Sequence, residues 1–216
     1  GDHLDLHSFP TRRSSDLYVR NNPLRLVDDN GKWPTDIHDQ IIDKAFPGLS
    51  PSQRAVLKSA SRAMDGIFNG GQSERNAYKH SMKSPTENPS IAKQDTRDFI
   101  KTEEHLAQVD QKTTPTSTSD INDKSLYMFG NAAHTVTDGT SSEHVDAQGN
   151  PLPWNPWDLP AVLAHRNGES TITPEQMDDA VAAVQQAFQD TYGQAAAQQA
   201  FTALPVPCKT LDENKK

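Results

Sequence analysis

At 216 residues the chain is long enough for one domain with a real core, yet only 33% of it is hydrophobic and its mean hydropathy is −0.78, so much of it must be loop or exposed helix surface. The formal net charge of −8 argues against a protein that grips nucleic acid through a basic patch, although bound divalent cations, which that count omits, weaken the argument. The single cysteine, Cys208, excludes an internal disulfide framework and a thiolate zinc site, and no window approaches the ~18 consecutive apolar residues of a membrane span.

In chain order, residues 1–17 read GDHLDLHSFPTRRSSDL. Back-translated, they resemble a common short-read sequencing adapter at every position but Leu4. They are expected to be adapter-derived sequence fused to a truncated gene and are set aside from fold reasoning, with no role for His3 or His7. They carry three Asp and two Arg, so the remainder has a net charge of −7. The true N-terminus is expected to be missing, and any signal peptide with it.

Residues 18–33, YVRNNPLRLVDDNGKW, place turn signals on either side of a short Leu/Val strand. A domain over 34–205 follows. Thr35 is expected to cap a helix through Ile37, Ile41, Ile42 and Ala45, ended by Pro47-Gly48. Ser50 caps a second, with Pro51 at the favoured first position and Val56, Leu57, Ala60, Ala63 and Met64 on one face. After the NGGQSE break a short helix carries Tyr78 and His80. A third long helix runs from Pro89 to Val109 with a thin stripe at Ile91, Phe99, Ile100 and Leu106. DQKTTPTSTSDIND reads as a flexible loop, and Leu126 to about Thr137 is the most apolar helix. DAQGNPLPWNPWDLP is a long Pro/Trp loop. Thr173-Pro174-Glu175-Gln176 forms a capping box opening a helix through Met177, Ala180, Val181, Val184 and Phe188, which the Ala/Gln run to Phe201 extends or follows. Residues 206–216 read as a frayed tail. Nearly every periodic segment has period 3.6, so the expected class is all-α.

Histidines and carboxylates gather near the ends of these helices. His134 and Asp138 are four apart, so both project from one helix face, a geometry suited to two ligands on one cation. Asp138 ends that helix at Gly139 and leaves TSSEH to present His144. His165 and Glu169 repeat the spacing near a helix end or turn at Asn167-Gly168. Asp65 closes the second helix, His80 follows, and His38 lies in the first turn of the first. Any one such pair is ordinarily a surface contact worth roughly 0.2–0.5 kcal/mol, and His105, on a charged face, is read that way. The combination, imidazole plus carboxylate without thiolate, suits catalytic zinc.

The ordered set His38, Asp65, His80, His134, Asp138, His144, His165 and Glu169 resembles the ligands of the zinc-dependent phospholipase C fold, shared with the S1/P1-type nucleases. The likeness covers residues 35 to about 190. It implies a multi-helix bundle around a zinc cleft. One ion would be held by Asp65, His80, His134 and Asp138, and a second by His144, His165 and Glu169. A third, shared by Asp138 and His38, requires a free N-terminal Trp that this chain lacks unless cleavage exposes Trp33. Ser142 stands where the family usually has Pro. The resemblance makes Asp65 the catalytic base as well as a ligand, and phospholipid or another phosphodiester the substrate. Separately, Tyr18-Val19-Arg20-Asn21-Asn22-Pro23 followed by Val27-Asp28-Asp29-Asn30-Gly31 resembles the end of an Rhs/YD-repeat core, with Asp29 where Pro is usual. That likeness implies a secreted or delivered bacterial toxin domain behind a parent Rhs chain, with an immunity protein as partner.

A zinc-dependent, phospholipase C-like phosphodiester hydrolase is the first expectation, with Trp154 and Trp157 touching lipid, stacking on a base or plugging a core, and no stable nucleic-acid complex. An S1/P1-type nuclease and a non-catalytic helical interaction domain are the alternatives.

Overall fold

A computed structural model describes residues 35–66, 70–112, 114–168 and 171–203. The adapter-like segment, the Rhs-like segment 18–33, Glu169 and the tail 206–216 lie outside the described residues. Within them the chain is all-α. The helices are α1 (Thr35–Ala45), α2 (Pro51–Met64), α3 (Pro89–Asp110), α4 (Asp123–Asp138), α5 (Leu159–Gly168) and α6 (Pro174–Phe201), with 3-10 turns at Glu74–His80 and Thr118–Asp120. No strand forms among the described residues, only isolated bridges at Lys83–Pro153 and Val145–Pro151. None of these helices is long and apolar enough to cross a membrane.

Local chemistry sets the helix starts. Ser50 accepts from the Gln53 backbone N–H while the Gln53 side chain accepts from the Ser50 N–H, and Thr173 and Gln176 repeat this capping box at α6. Asn122 caps α4 by accepting from the Ser125 N–H at 2.9 Å. Thr35 is the first helical residue of α1 rather than its cap.

α4 is the hub, packed against α2, α3 and α6. Phe129 points from it into a cluster with Phe46, Phe188 and Tyr192, all fully buried. Phe129 meets Phe188 edge-on at 5.3 Å, and Phe188 lies 4.9 Å from Phe46. Burying each such ring contributes about 1.5–3 kcal/mol. Where α4 crosses α2 the two backbones approach closely at Gly130, whose Cβ, if present, would sit 2.6 Å from that of Ala60. α6 is two helical pieces joined at Gly193, whose φ of 81° is costly for any residue with a side chain.

Three expectations are corrected. α3 buries only the middle of the stripe anticipated for it: Phe99 and Ile100 are half-buried, Ile91 and Leu106 are exposed, and Ala92, Thr96 and Ala107 face inward. Small residues there let α3 lie close to α4. The Thr/Ser segment before α4 is tied down, not loose: Asp120 accepts from the Thr116 and Ser117 N–H groups, and Gln53 donates to the Thr118 carbonyl. The end of the Pro/Trp loop is helical, since Leu159 and Pro160 begin α5 and Val162 packs with Ala77, Met82 and Trp154 in a second small core. Pro is tolerated there because the first helical turn needs no donor from it.

Candidate metal centre

The site is assembled where four elements end. α4 presents His134 and Asp138 one turn apart, both almost fully buried. Asp65 is the C-cap of α2. His80 is the last residue of the first 3-10 turn, followed by Ser81 in the left-handed region at φ 54°. That turn is fastened to α4 twice: the Ser81 hydroxyl donates to the Thr135 carbonyl at 2.8 Å, and the Thr135 hydroxyl donates to the Lys79 carbonyl. His80 is thereby held against α4 from a segment 54 residues away in sequence.

Four side chains then gather around His134 Nε2. His80 Nδ1 and His134 Nε2 are 3.0 Å apart, and each is 3.1 Å from Asp138 Oδ2. Asp65 Oδ1 lies 3.5 Å from His134 Nε2 and 3.9 Å from His80 Nδ1. Ligands about 2.0–2.1 Å from a tetrahedral ion are about 3.3 Å from one another, so this spacing is that of a coordination shell. Asp138 also reaches the other way, its Oδ1 standing 3.0 Å from His38 Nε2. Two overlapping groups can hold a metal ion: Asp65, His80 and His134, and His38, His134 and Asp138.

Hydrogen bonds fix the rings from behind. The Thr137 hydroxyl has one proton and gives it to the His134 carbonyl at 2.8 Å, so at 2.9 Å it accepts from His38 Nδ1–H. In the neutral ring His38 Nε2 is then the lone-pair nitrogen, aimed at a carboxylate oxygen. That contact is repulsive unless a proton or a cation lies between. His144 Nδ1 faces the His80 carbonyl, which only accepts, so this nitrogen carries the proton. His134 Nδ1 pairs with the buried Ser61 hydroxyl at 3.0 Å, and Gln72 donates to Asp65 Oδ1 at 3.2 Å. Such outer partners orient ligand rings and hold their tautomers.

Burial pushes the His134 imidazole below its usual range, toward the neutral form, and outweighs the pull of Asp138 and Asp65. Burial also acts to raise Asp138, but His134, His144 and His38 around it hold it well below the usual carboxylate range. An ionised carboxylate therefore faces an imidazole that resists protonation. His80 Nε2 and Asp65 Oδ2 are buried without a hydrogen-bond partner. A divalent cation would supply balancing charge, and the donor set could hold one.

Six of the eight expected ligands, His38, Asp65, His80, His134, Asp138 and His144, thus converge. His165 joins through ring contacts, stacked on His144 at 4.9 Å and backed by Trp154 at 5.2 Å. Glu169 lies outside the described residues. Trp154 is buried, with its indole N–H donating to the Gln72 carbonyl at 2.9 Å, so it is a wall behind His165 and not a surface for substrate. Trp157 is exposed, as is His105. Ser61, Gln72 and Thr137 carried no sequence signal, being polar residues of ordinary type on buried faces.

A cleft beside the cluster is lined by His38 and Asp138 together with the 140–143 turn, Ile37, Ile41 and Ile172. Compared with protein-family models, with curated proteins and with solved structures, the chain gives no significant match.

Proposed function

We propose that this chain is a zinc-dependent phosphodiester hydrolase of phospholipase C type, carried as the effector domain of an Rhs-like parent. The observation that carries the reading is the buried convergence of His80 Nδ1, His134 Nε2 and Asp138 Oδ2 within 3.1 Å of one another, with Asp65 Oδ1 3.5–3.9 Å from the two imidazole nitrogens. Two imidazoles and two carboxylates with no thiolate are a donor set that suits zinc at a catalytic site. When bound, the ion supplies Lewis acidity, polarising a phosphoryl oxygen and easing the deprotonation of water.

The chain's own residues do the rest. Gln72 donates to Asp65 Oδ1 and so orients the carboxylate that the resemblance makes the base. Ser61 fixes the His134 ring so that Nε2 faces the cluster. His38 is locked by Thr137 with its lone pair inward. A divalent ion held by Asp65, His80, His134 and Asp138 would balance the two carboxylate charges. No Phe, Tyr or Trp lines the cleft among the described residues, so the aromatic base platform that a nuclease needs has no support.

The test is metal analysis joined to parallel assays on phosphatidylcholine and single-stranded DNA, with and without chelator. Bound zinc and chelator-sensitive lipid hydrolysis that His134→Ala abolishes are expected. A zinc-free protein whose activity survives His134→Ala refutes the reading.

A further inference from the structure

Gln72 makes two contacts that point in opposite directions. Its side-chain amide donates to Asp65 Oδ1 at 3.2 Å, and its backbone carbonyl accepts from the Trp154 indole N–H at 2.9 Å. The turn that carries it folds back over the end of α2. The Gly71 N–H donates to the Gly66 carbonyl at 3.0 Å, and a Cβ on Gly71 would lie 2.0 Å from the Met64 carbonyl oxygen. Only glycine allows that approach, which sets the next residue against Asp65. Trp154 is pinned a second time by its backbone N–H, which donates to the Lys83 carbonyl at 2.8 Å. Its ring lies 5.2 Å from that of His165 and packs in the small core with Val162, so it meets α5 at two points.

α5 has little else to hold it. It takes no substantial part in the packing of α1, α2, α3, α4 and α6 on one another. Its Leu159 and Leu163 are exposed, and Val162 is the one hydrophobic residue it buries among the described residues. Beyond that, His165 stacks on His144, and Gly168 lies against Glu143. The position of α5 therefore leans on Trp154, and that of Trp154 on Gln72. A continuous path of contacts runs from Asp65 through Gln72 and Trp154 to His165, joining segments 100 residues apart in sequence. We infer that Gln72 is a positioning residue that couples the Asp65, His80, His134 and Asp138 cluster to α5, with Trp154 as the lever between them. Such coupling is reciprocal: a disturbance at either end is felt at the other. The zinc arm of its test rests on the hydrolase reading, and the exchange arm does not.

Zinc affinity is measured by competition with a chromophoric chelator in a His165→Ala background, so that the Asp65 cluster is the one read. Gln72→Ala is expected to weaken binding roughly tenfold, as when an outer partner of a ligand is lost. Trp154→Phe removes the indole N–H, leaves all four ligands in place and is expected to weaken binding roughly threefold. The double variant should match Gln72→Ala alone, because the path is already cut. Val162→Ala loosens the same small core without touching the tether, and should keep the affinity of the background chain. The second arm needs no metal. Hydrogen exchange of the amides over 159–168 in the metal-free chain, with His165 intact, should be about twofold to fivefold faster in Gln72→Ala than in wild type, although that side chain bonds to Asp65 and not to α5. Unchanged zinc binding in Trp154→Phe, additive losses in the double variant, an equal loss in Val162→Ala, or unchanged α5 exchange in Gln72→Ala each overturns the inference. If the protein binds no zinc, the hydrolase reading fails and the exchange arm decides the coupling alone. The same arm decides it if Trp154→Phe does not fold.

Discussion

Gly130→Ala tests the link between helix packing and the metal cluster. The added Cβ would stand 2.6 Å from the Cβ of Ala60 and 3.2 Å from the Leu57 carbonyl oxygen. Carbon atoms pack at roughly 3.5–4.0 Å, so α2 and α4 must part by about 1 Å at that point. Overpacking of this kind costs about 1–3 kcal/mol, and replacing a helical glycine by alanine returns about 1 kcal/mol. The net loss is about 0–2 kcal/mol, which at ~2–4 °C per kcal/mol for a chain of this size is a modest drop in Tm. The site responds more sharply. Ser61, next to Ala60, holds the ring of His134, one turn beyond Gly130, while a coordination shell tolerates only about ±0.2 Å. Zinc affinity, measured by competition with a chromophoric chelator, is expected to fall about tenfold or more, as when an outer partner of a ligand is removed. Adding Ala60→Gly removes the closest contact and should restore most of the affinity. Wild-type zinc binding by Gly130→Ala, or no recovery in the double variant, refutes the argument that this crossing sets the ligand spacing.

Three further outcomes are expected. Zinc at 100 times its Kd should stabilise the folded chain by about 2.7 kcal/mol, read as a rise in Tm that chelator reverses and that Asp138→Asn largely removes. The Glu104 carboxyl is raised from 4.5 to about 7, first by burial and then by Asp190, against the opposing effect of Lys101. Its folded pKa exceeds its unfolded one, so this contribution is fully present below 4.5 and is lost as pH rises through about 7. Glu104→Gln should flatten the decline of Tm across that window and melt higher than wild type above it. Tyr192→Phe removes the hydroxyl that meets Ser125 Oγ at 3.0 Å. Ser125 retains its bond to the Ala107 carbonyl, so chemical denaturation should show a loss of only about 1 kcal/mol.

The parts of this molecule legible in its sequence are those set by neighbours along the chain. Ser50 and Thr173 announce their helices because a cap is satisfied within three residues, and His134 with Asp138 announces a ligand pair because one helical turn fixes their separation. The ends of the α3 stripe were misjudged because which face turns inward depends on how closely α4 lies, and that approach selects Ala92 and Ala107 over the larger Ile91 and Leu106. α5 was hidden by the prolines before it, although Pro160 at its start is compatible with a helix. In the motif Glu143 was a spacer between Asp138 and His144. Only the fold shows its carboxylate against Gly168, a residue 25 positions further on.

The four converging atoms come from positions 65, 80, 134 and 138, segments that no local interaction brings together. An extended chain offers a cation nothing better than scattered weak donors, and the cage exists only once α2 has docked on α4. Any metal capture would therefore be a late event that requires a finished core. A copy of this chain that was unfolded would lose any ion it held and could take another only after its helices had packed again.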